Sequence, residues 1–171
     1  MRFFTVLATL CAAASAAPAT AEAQAKLITE LWRAYSGTAR DHFYTTDYNE
    51  YNNAVTNLGY TAEGVAARIY SRQVEQSVPL YRTWSPGASD HFYTTSAAER
   101  DNAVQHLGYQ DEGITGFVYK ADSRGDTVAF YRAYSGGQRD HFYTVNAAEM
   151  ENAVRKLGYT YEGVAAYVFE P

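Results

Sequence analysis

The pentapeptide Asp-His-Phe-Tyr-Thr is spelled three times, at Asp41–Thr45, Asp90–Thr94 and Asp140–Thr144. The copies recur at roughly fifty-residue intervals, which is the signature of one supersecondary unit used repeatedly. Whatever fold the chain adopts must therefore give all three copies a comparable place.

Around each pentapeptide the same local signals recur. Aromatic stretches at Leu31–Ser36, Leu80–Ser85 and Phe130–Ser135 precede it, separated by the turn residues Gly37–Arg40, Pro86–Ser89 and Gly136–Arg139. Short aromatic-rich runs flanking a turn predict a β-hairpin. Next come the helix-capping residues Asp47, Ser96 and Asn146, each followed three positions later by Glu50, Glu99 or Glu149. That spacing predicts a capping box, in which the cap side chain takes an orphan helical N–H and the glutamate reaches back to the cap. Tyr51, Ala54, Val55 and Leu58, with Ala103, Val104 and Leu107 and with Met150, Ala153, Val154 and Leu157, fall at helical spacing and predict one buried stripe. Gly59, Gly108 and Gly158 follow where a left-handed residue ends a helix. Val65–Tyr70, Ile114–Tyr119 and Val164–Phe169 are β-branched and aromatic enough for a last strand. The expected class is α+β, with three tandem ββαβ repeats of about 30–77, 78–127 and 128–171 in a single domain over 27–171. A linear stack would expose an unpaired face at each end, so the units are expected to close around a pseudo-threefold axis.

Residues 1–16 read as a signal peptide. Arg2 leads a compact apolar run, and Ala14 and Ala16 occupy the small-residue positions before a cut, with a later trim near Ala23 as the alternative. The run is too short to span a bilayer, so a secreted, extracellular protein without membrane insertion is expected. The only cysteine, Cys11, lies in this leader, which leaves no disulfide framework. Nineteen acidic residues outnumber fourteen basic ones, for a net charge of −5. That balance argues against a nucleic-acid backbone or anionic lipid as partner. The sixteen tyrosines outnumber the eight phenylalanines and suit wet, polar ligands.

The string Asp-His-Phe-Tyr-Thr-Thr, with Ser96–Val104, Leu107–Tyr109 and Glu112–Gly113 after it, resembles a family of secreted proteins of fungi and bacteria described as a domain of unknown function. The resemblance spans the chain beyond the leader. It implies an extracellular module, sometimes attached to secreted hydrolases and associated with carbohydrate or cell-wall binding, and it carries over no catalytic residue.

The repeated polar residues admit structural and functional readings. Arg33, Arg82 and Arg132 are expected to fork onto an aspartate or glutamate of their own or the next unit. Asn53, Asn102 and Asn152 sit mid-helix, where an asparagine needs a partner, and a loop backbone is expected to supply it. Asp41 and His42 are strand neighbours and face opposite ways, which weakens a catalytic triad with Ser36. A hydrogen bond from each imidazole to backbone is expected; three converging histidines would make a metal-dependent enzyme, the least favoured reading. Phe43, Phe92 and Phe142 are invariant among the copies and read as core. Tyr35, Trp84 and Tyr134 interchange a flat ring with a polar handle, as a stacking platform would allow. The candidate ligand-binding residues are Tyr35, Asp41, His42, Tyr44, Trp84, Asp90, His91, Tyr93, Tyr134, Asp140, His141 and Tyr143. The expected function is a non-catalytic, multivalent binding module for an extracellular glycan or cell-wall polymer, monomeric, with no cofactor and no resident metal. A protein-facing inhibitor or adhesion module is the alternative.

Overall fold

A computed structural model of the chain describes residues 21–121 and 125–171. The expected signal peptide, with its expected cut after Ala16, lies outside the described residues. After a short helix α1 (Ala21–Ala25), the elements run β1 (Ile28–Ser36), β2 (Asp41–Thr45), α2 (Tyr48–Asn57), β3 (Thr61–Tyr70), β4 (Val78–Ser85), β5 (Asp90–Thr94), α3 (Ala97–His106), β6 (Gln110–Val118), β7 (Val128–Ser135), β8 (Asp140–Thr144), α4 (Ala147–Lys156) and β9 (Thr160–Val168).

The predicted hairpins form, with Tyr35 opposite His42 and Ser36 opposite Asp41 in β1 and β2, and the same register in β4 with β5 and β7 with β8. Each turn is closed by a serine. The Ser36, Ser85 and Ser135 hydroxyls accept the N–H groups of Ala39, Ala88 and Gln138 at 3.2–3.3 Å. Arg40, Ser89 and Arg139 complete the turns in the left-handed region, at φ of 61°, 56° and 60°.

Asp47, Ser96 and Asn146 cap α2, α3 and α4 as expected, accepting first-turn N–H groups. The glutamates do something other than close a capping box. The cap N–H of Asp47 donates to Thr45 Oγ1 at 3.0 Å, and that hydroxyl donates to Glu50, leaving the carboxylate to face a neighbouring segment. Thr94 and Glu99, and Thr144 and Glu149, repeat the arrangement. Only part of the predicted apolar stripe is buried. Ala54, Ala103 and Ala153 are sealed, but Leu58, Leu107 and Leu157 stand at the C-caps, 62%, 60% and 53% exposed. Gly59, Gly108 and Gly158 end the helices at φ of 77–79°.

The expected class is overturned by the sheet topology. The molecule is mostly β, not three equivalent ββαβ repeats closed around a pseudo-threefold axis. Strands of the first two segments merge into one six-stranded antiparallel sheet, in the order β2-β1-β3-β6-β4-β5, while the third keeps its own sheet, β8-β7-β9. The seam of the larger sheet is the pair Tyr70 and Phe117. A physical reason lies beside it. Gly116 occupies the position held by Ala67 in the first segment and Ala166 in the third, paired respectively to Leu80, Leu31 and Phe130. A Cβ on Gly116 would sit 2.5 Å from Ile69 Cδ1 and 2.8 Å from the Tyr70 carbonyl oxygen. Only a glycine lets β6 approach β3 this closely. Apart from its ladder with β7, the β9 end of the chain meets the larger sheet's segments through isolated bridges, Arg68 with Phe169 and Tyr119 with Tyr167. A sequence reading based on what the three copies share could not register this one-residue difference.

The sheets wrap a core of Leu31, Ile69, Leu80, Val118, Phe130 and Val168, with Tyr44, Tyr93 and Tyr143 at its centre. Burying each such side chain contributes about 1.5–3 kcal/mol. The polar ends of the tyrosines need partners there, and these define the junctions between segments.

Candidate functional site

Tyr93 Oη accepts the Tyr44 N–H at 2.8 Å and donates to the Tyr44 carbonyl at 2.7 Å. Tyr143 does the same for Tyr93, and Tyr44 for Tyr143, so the circuit returns to its start. The rings meet edge to face, with centroids 5.4–5.6 Å apart. β2, β5 and β8 are edge strands of their sheets, and buried edges cannot be left unpaired. Here phenol hydroxyls stand in for a neighbouring strand. Burial pushes all three phenols well above their ordinary pKa. Tyr44, Tyr93 and Tyr143, expected to line a ligand site, are thus sealed structural residues.

One layer outward, the aspartates form a second circuit. Asp140 accepts the His42 N–H at 2.9 Å and the His42 Nδ1–H at 2.6 Å. Asp41 holds His91, and Asp90 holds His141, in the same way. Tyr60, Tyr109 and Tyr159 add a third donor to Asp41, Asp90 and Asp140. Burial first, then the adjacent carboxylate, raises these three phenols. Asp41 does not orient its own neighbour His42, as strand alternation requires. The imidazoles bond carboxylates rather than the expected backbone. Among the described residues the metal-ligating atoms that gather are carboxylate oxygens of Asp41, Asp90 and Asp140, within 4.8 Å of one another, not imidazoles. Each of these carboxylates is fully buried and accepts three donors. Most of the accepting capacity of each carboxylate is thus used within the protein.

The outermost layer is built from ions. Arg33 donates to both oxygens of Glu149, at 2.9 and 3.1 Å, and its Nε lies 2.9 Å from Glu63. Arg82 grips the capping Glu50, and Arg132 the capping Glu99, of the preceding segment with both terminal nitrogens. Each meets its own segment's Glu112 or Glu162 through Nε, so the expected forks form but point back rather than to their own or the next unit. Burial alone would raise the capping glutamates. The arginine and threonine hydrogen bonds outweigh it and hold Glu50, Glu99 and Glu149 below the usual carboxylate range.

Outside this layer each junction opens into a cleft. Between the first and second segments it is lined by Phe43, Glu50, Asn53, Leu58, Tyr60 and His91, in about 220 Å³. Between the second and third it is lined by Phe92, Glu99, Asn102, Leu107, Tyr109 and His141, in about 210 Å³. Between the third and first, Phe142, Glu149, Asn152, Leu157, Tyr159 and His42 are joined by Tyr35, Gln138 and Lys156, in about 590 Å³. The chemistry is the same three times. Tyr35, Trp84 and Tyr134, the interchanging rings, lie half-buried against His42, His91 and His141 with centroids 4.4–4.5 Å apart.

Among the expected site residues, His42, His91, His141 and Tyr35 line the clefts, while Trp84 and Tyr134 lie half-buried on their imidazoles without lining one. Sequence reasoning missed the asparagines and leucines. Asn53 accepts from Asn57 one helical turn on, and Asn102 and Asn152 make no side-chain hydrogen bond among the described residues. None of the three bonds the expected loop backbone. The available signal was the leucine before each helix-ending glycine, repeated at a place that helix geometry leaves open.

A family profile matches residues 29–169, nearly all of the described chain. The chain belongs to the domain-of-unknown-function family DUF5648. Neither a curated protein nor a solved structure matches it. DUF5648 as a description names no ligand or reaction, so the clefts have to be read from their own chemistry. Among the described residues no helix is long and apolar enough to cross a membrane.

Proposed function

We propose that this DUF5648 chain is a secreted, non-catalytic module that binds an extracellular glycan through its junction clefts. One observation carries the reading: three clefts of matching composition each set a solvent-facing asparagine beside an exposed leucine, an imidazole and an arginine-anchored glutamate. A sugar ring offers hydroxyls to the amide and carboxylate and a C–H face to the leucine and aromatic edge. Sites of this size hold one ring weakly. Presenting several together raises retention on a polymer when their spacing allows simultaneous engagement.

The test is retention of the folded protein on glycan arrays and insoluble wall polymers, comparing wild type with Trp84→Ala and with Asn53, Asn102 and Asn152 all changed to alanine. Loss of retention with an unchanged melting temperature supports the proposal. Full retention by both folded variants overturns it.

A protein-facing role is the second reading, favoured by an apolar groove of about 340 Å³ on the third segment between Tyr131, Met150, Val154 and Tyr161. In the first segment Tyr48 and Tyr51 pack on Trp32, and in the second the Arg100 guanidinium lies 4.3 Å over Tyr81.

A further inference from the structure

We infer that the cleft between the third and first segments is the principal binding site and that Gln138 and Lys156 make it so. This rests on the glycan-binding reading above and adds which junction dominates and through which side chains.

Size separates the three clefts first. At about 590 Å³ the third-to-first cleft falls inside the range of roughly 300–1,000 Å³ that small-molecule sites occupy. The other two, at about 210 and 220 Å³, fall below it.

Two side chains found only here extend it. Gln138 occupies the turn position of Ala39 and Ala88 in the other segments, and Lys156 the helical position of Asn57 and His106. Both line the larger cleft. Gln138 leans on the Leu157 carbonyl at 3.4 Å, a long contact that leaves its amide able to turn to a ligand.

Lys156 also adds a cationic donor that lines this cleft beside Glu63 and Glu149. Sugar hydroxyls find both donors and acceptors here. The donors are the Asn152 and Gln138 amides, the acceptors the outer lone pairs of Glu63, and Leu157 with the Tyr35 ring supplies apolar contact.

The experiment is side-chain amide NMR on the folded chain during titration with three probes: a panel of neutral gluco-, manno- and N-acetylchito-oligosaccharides, a deacetylated cationic chito-oligosaccharide, and an anionic oligouronate. Whichever probe binds is expected to move the Asn152 and Gln138 resonances at concentrations about tenfold below those that move Asn53 and Asn102. Gln138→Ala with Lys156→Asn, which copies residues of the other segments, is expected to erase that tenfold preference without moving the melting temperature. Equal response of Asn53, Asn102 and Asn152 overturns this inference and leaves the glycan reading standing. Response of Asn53 or Asn102 ahead of Asn152 overturns this inference too. Silence of every amide with every probe overturns the glycan reading and this inference with it.

Discussion

At each junction two environments lie side by side: a sealed circuit of aspartate, histidine and tyrosine, and an open cleft floored by that circuit. In the circuit the polar groups have their partners, and in the clefts Asn102 and Asn152 have none among the described residues. Identity among the three copies is strict in the first environment, where Asp-His-Phe-Tyr-Thr never varies; in the second the asparagine and leucine are also repeated, and only the rim varies, at Tyr35 against Trp84 and at Gln138 and Lys156. Strictness here marks mutual dependence in packing. The looser positions are where a ligand has room to be chosen.

Breaking the circuit should cost far more than altering a cleft. Asp140→Ala strands a buried imidazole, a backbone N–H and the Tyr159 hydroxyl together, and a loss of about 3–5 kcal/mol is expected in denaturant unfolding. Tyr93→Phe keeps the ring but leaves the Tyr44 N–H and carbonyl unpaired; about 2–4 kcal/mol should be lost, with tertiary circular dichroism near native. Gly116→Ala pushes a methyl against Ile69 and the Tyr70 carbonyl, and about 1–3 kcal/mol of overpacking should appear as a lower melting temperature, with faster amide exchange around Tyr70 and Phe117.

The ion layer between the two environments gives a pH test. Glu50, Glu99 and Glu149 are depressed in the folded state, so their contribution is complete above their unfolded pKa of about 4.3 and is lost as pH falls through the lower folded values. Stability should decline on acidification from about pH 5, and Glu50→Gln with Glu99→Gln and Glu149→Gln should flatten that limb. Their partial exposure keeps the effect smaller than that of the circuit variants. Smallest of all, Asn152→Ala should change stability by less than about 0.5 kcal/mol while weakening retention on a glycan. A large stability loss there would erase the distinction between cleft and circuit.

Much of the local structure was legible in the chain. Turns, caps and helix stops follow from residues that act on their own backbone, such as Ser36, Asp47 and Gly59. What was not legible lies between segments. Nothing in the spacing of Asp41 and His42 says that each binds the other's counterpart from a different copy, because the partner is fixed by how strands from distant parts of the chain meet. The same holds for Glu50, whose carboxylate looked like a capping partner until Arg82 claimed it. The merged sheet turned on Gly116, where one missing methyl changes which strands touch. At the clefts, Tyr35, Trp84 and Tyr134 are half-buried on imidazoles rather than an open platform. The burial of Phe43, Phe92 and Phe142 could be argued from their invariance among the copies. Tyr44 could not, since a tyrosine whose hydroxyl bonds a foreign strand edge looks in sequence like any surface tyrosine.

The tyrosine circuit also bears on how copies of the chain interact while folding. Tyr93 serves Tyr44 just as Tyr143 serves Tyr93, so a junction carries no label saying which segment belongs beside it. The equivalent tyrosine of a second molecule would satisfy the same edge equally well. Order within one chain falls to the linkers, the Gly116 seam and the Arg68–Phe169 and Tyr119–Tyr167 bridges, and concentrated refolding is the condition under which exchange of segments between molecules is expected.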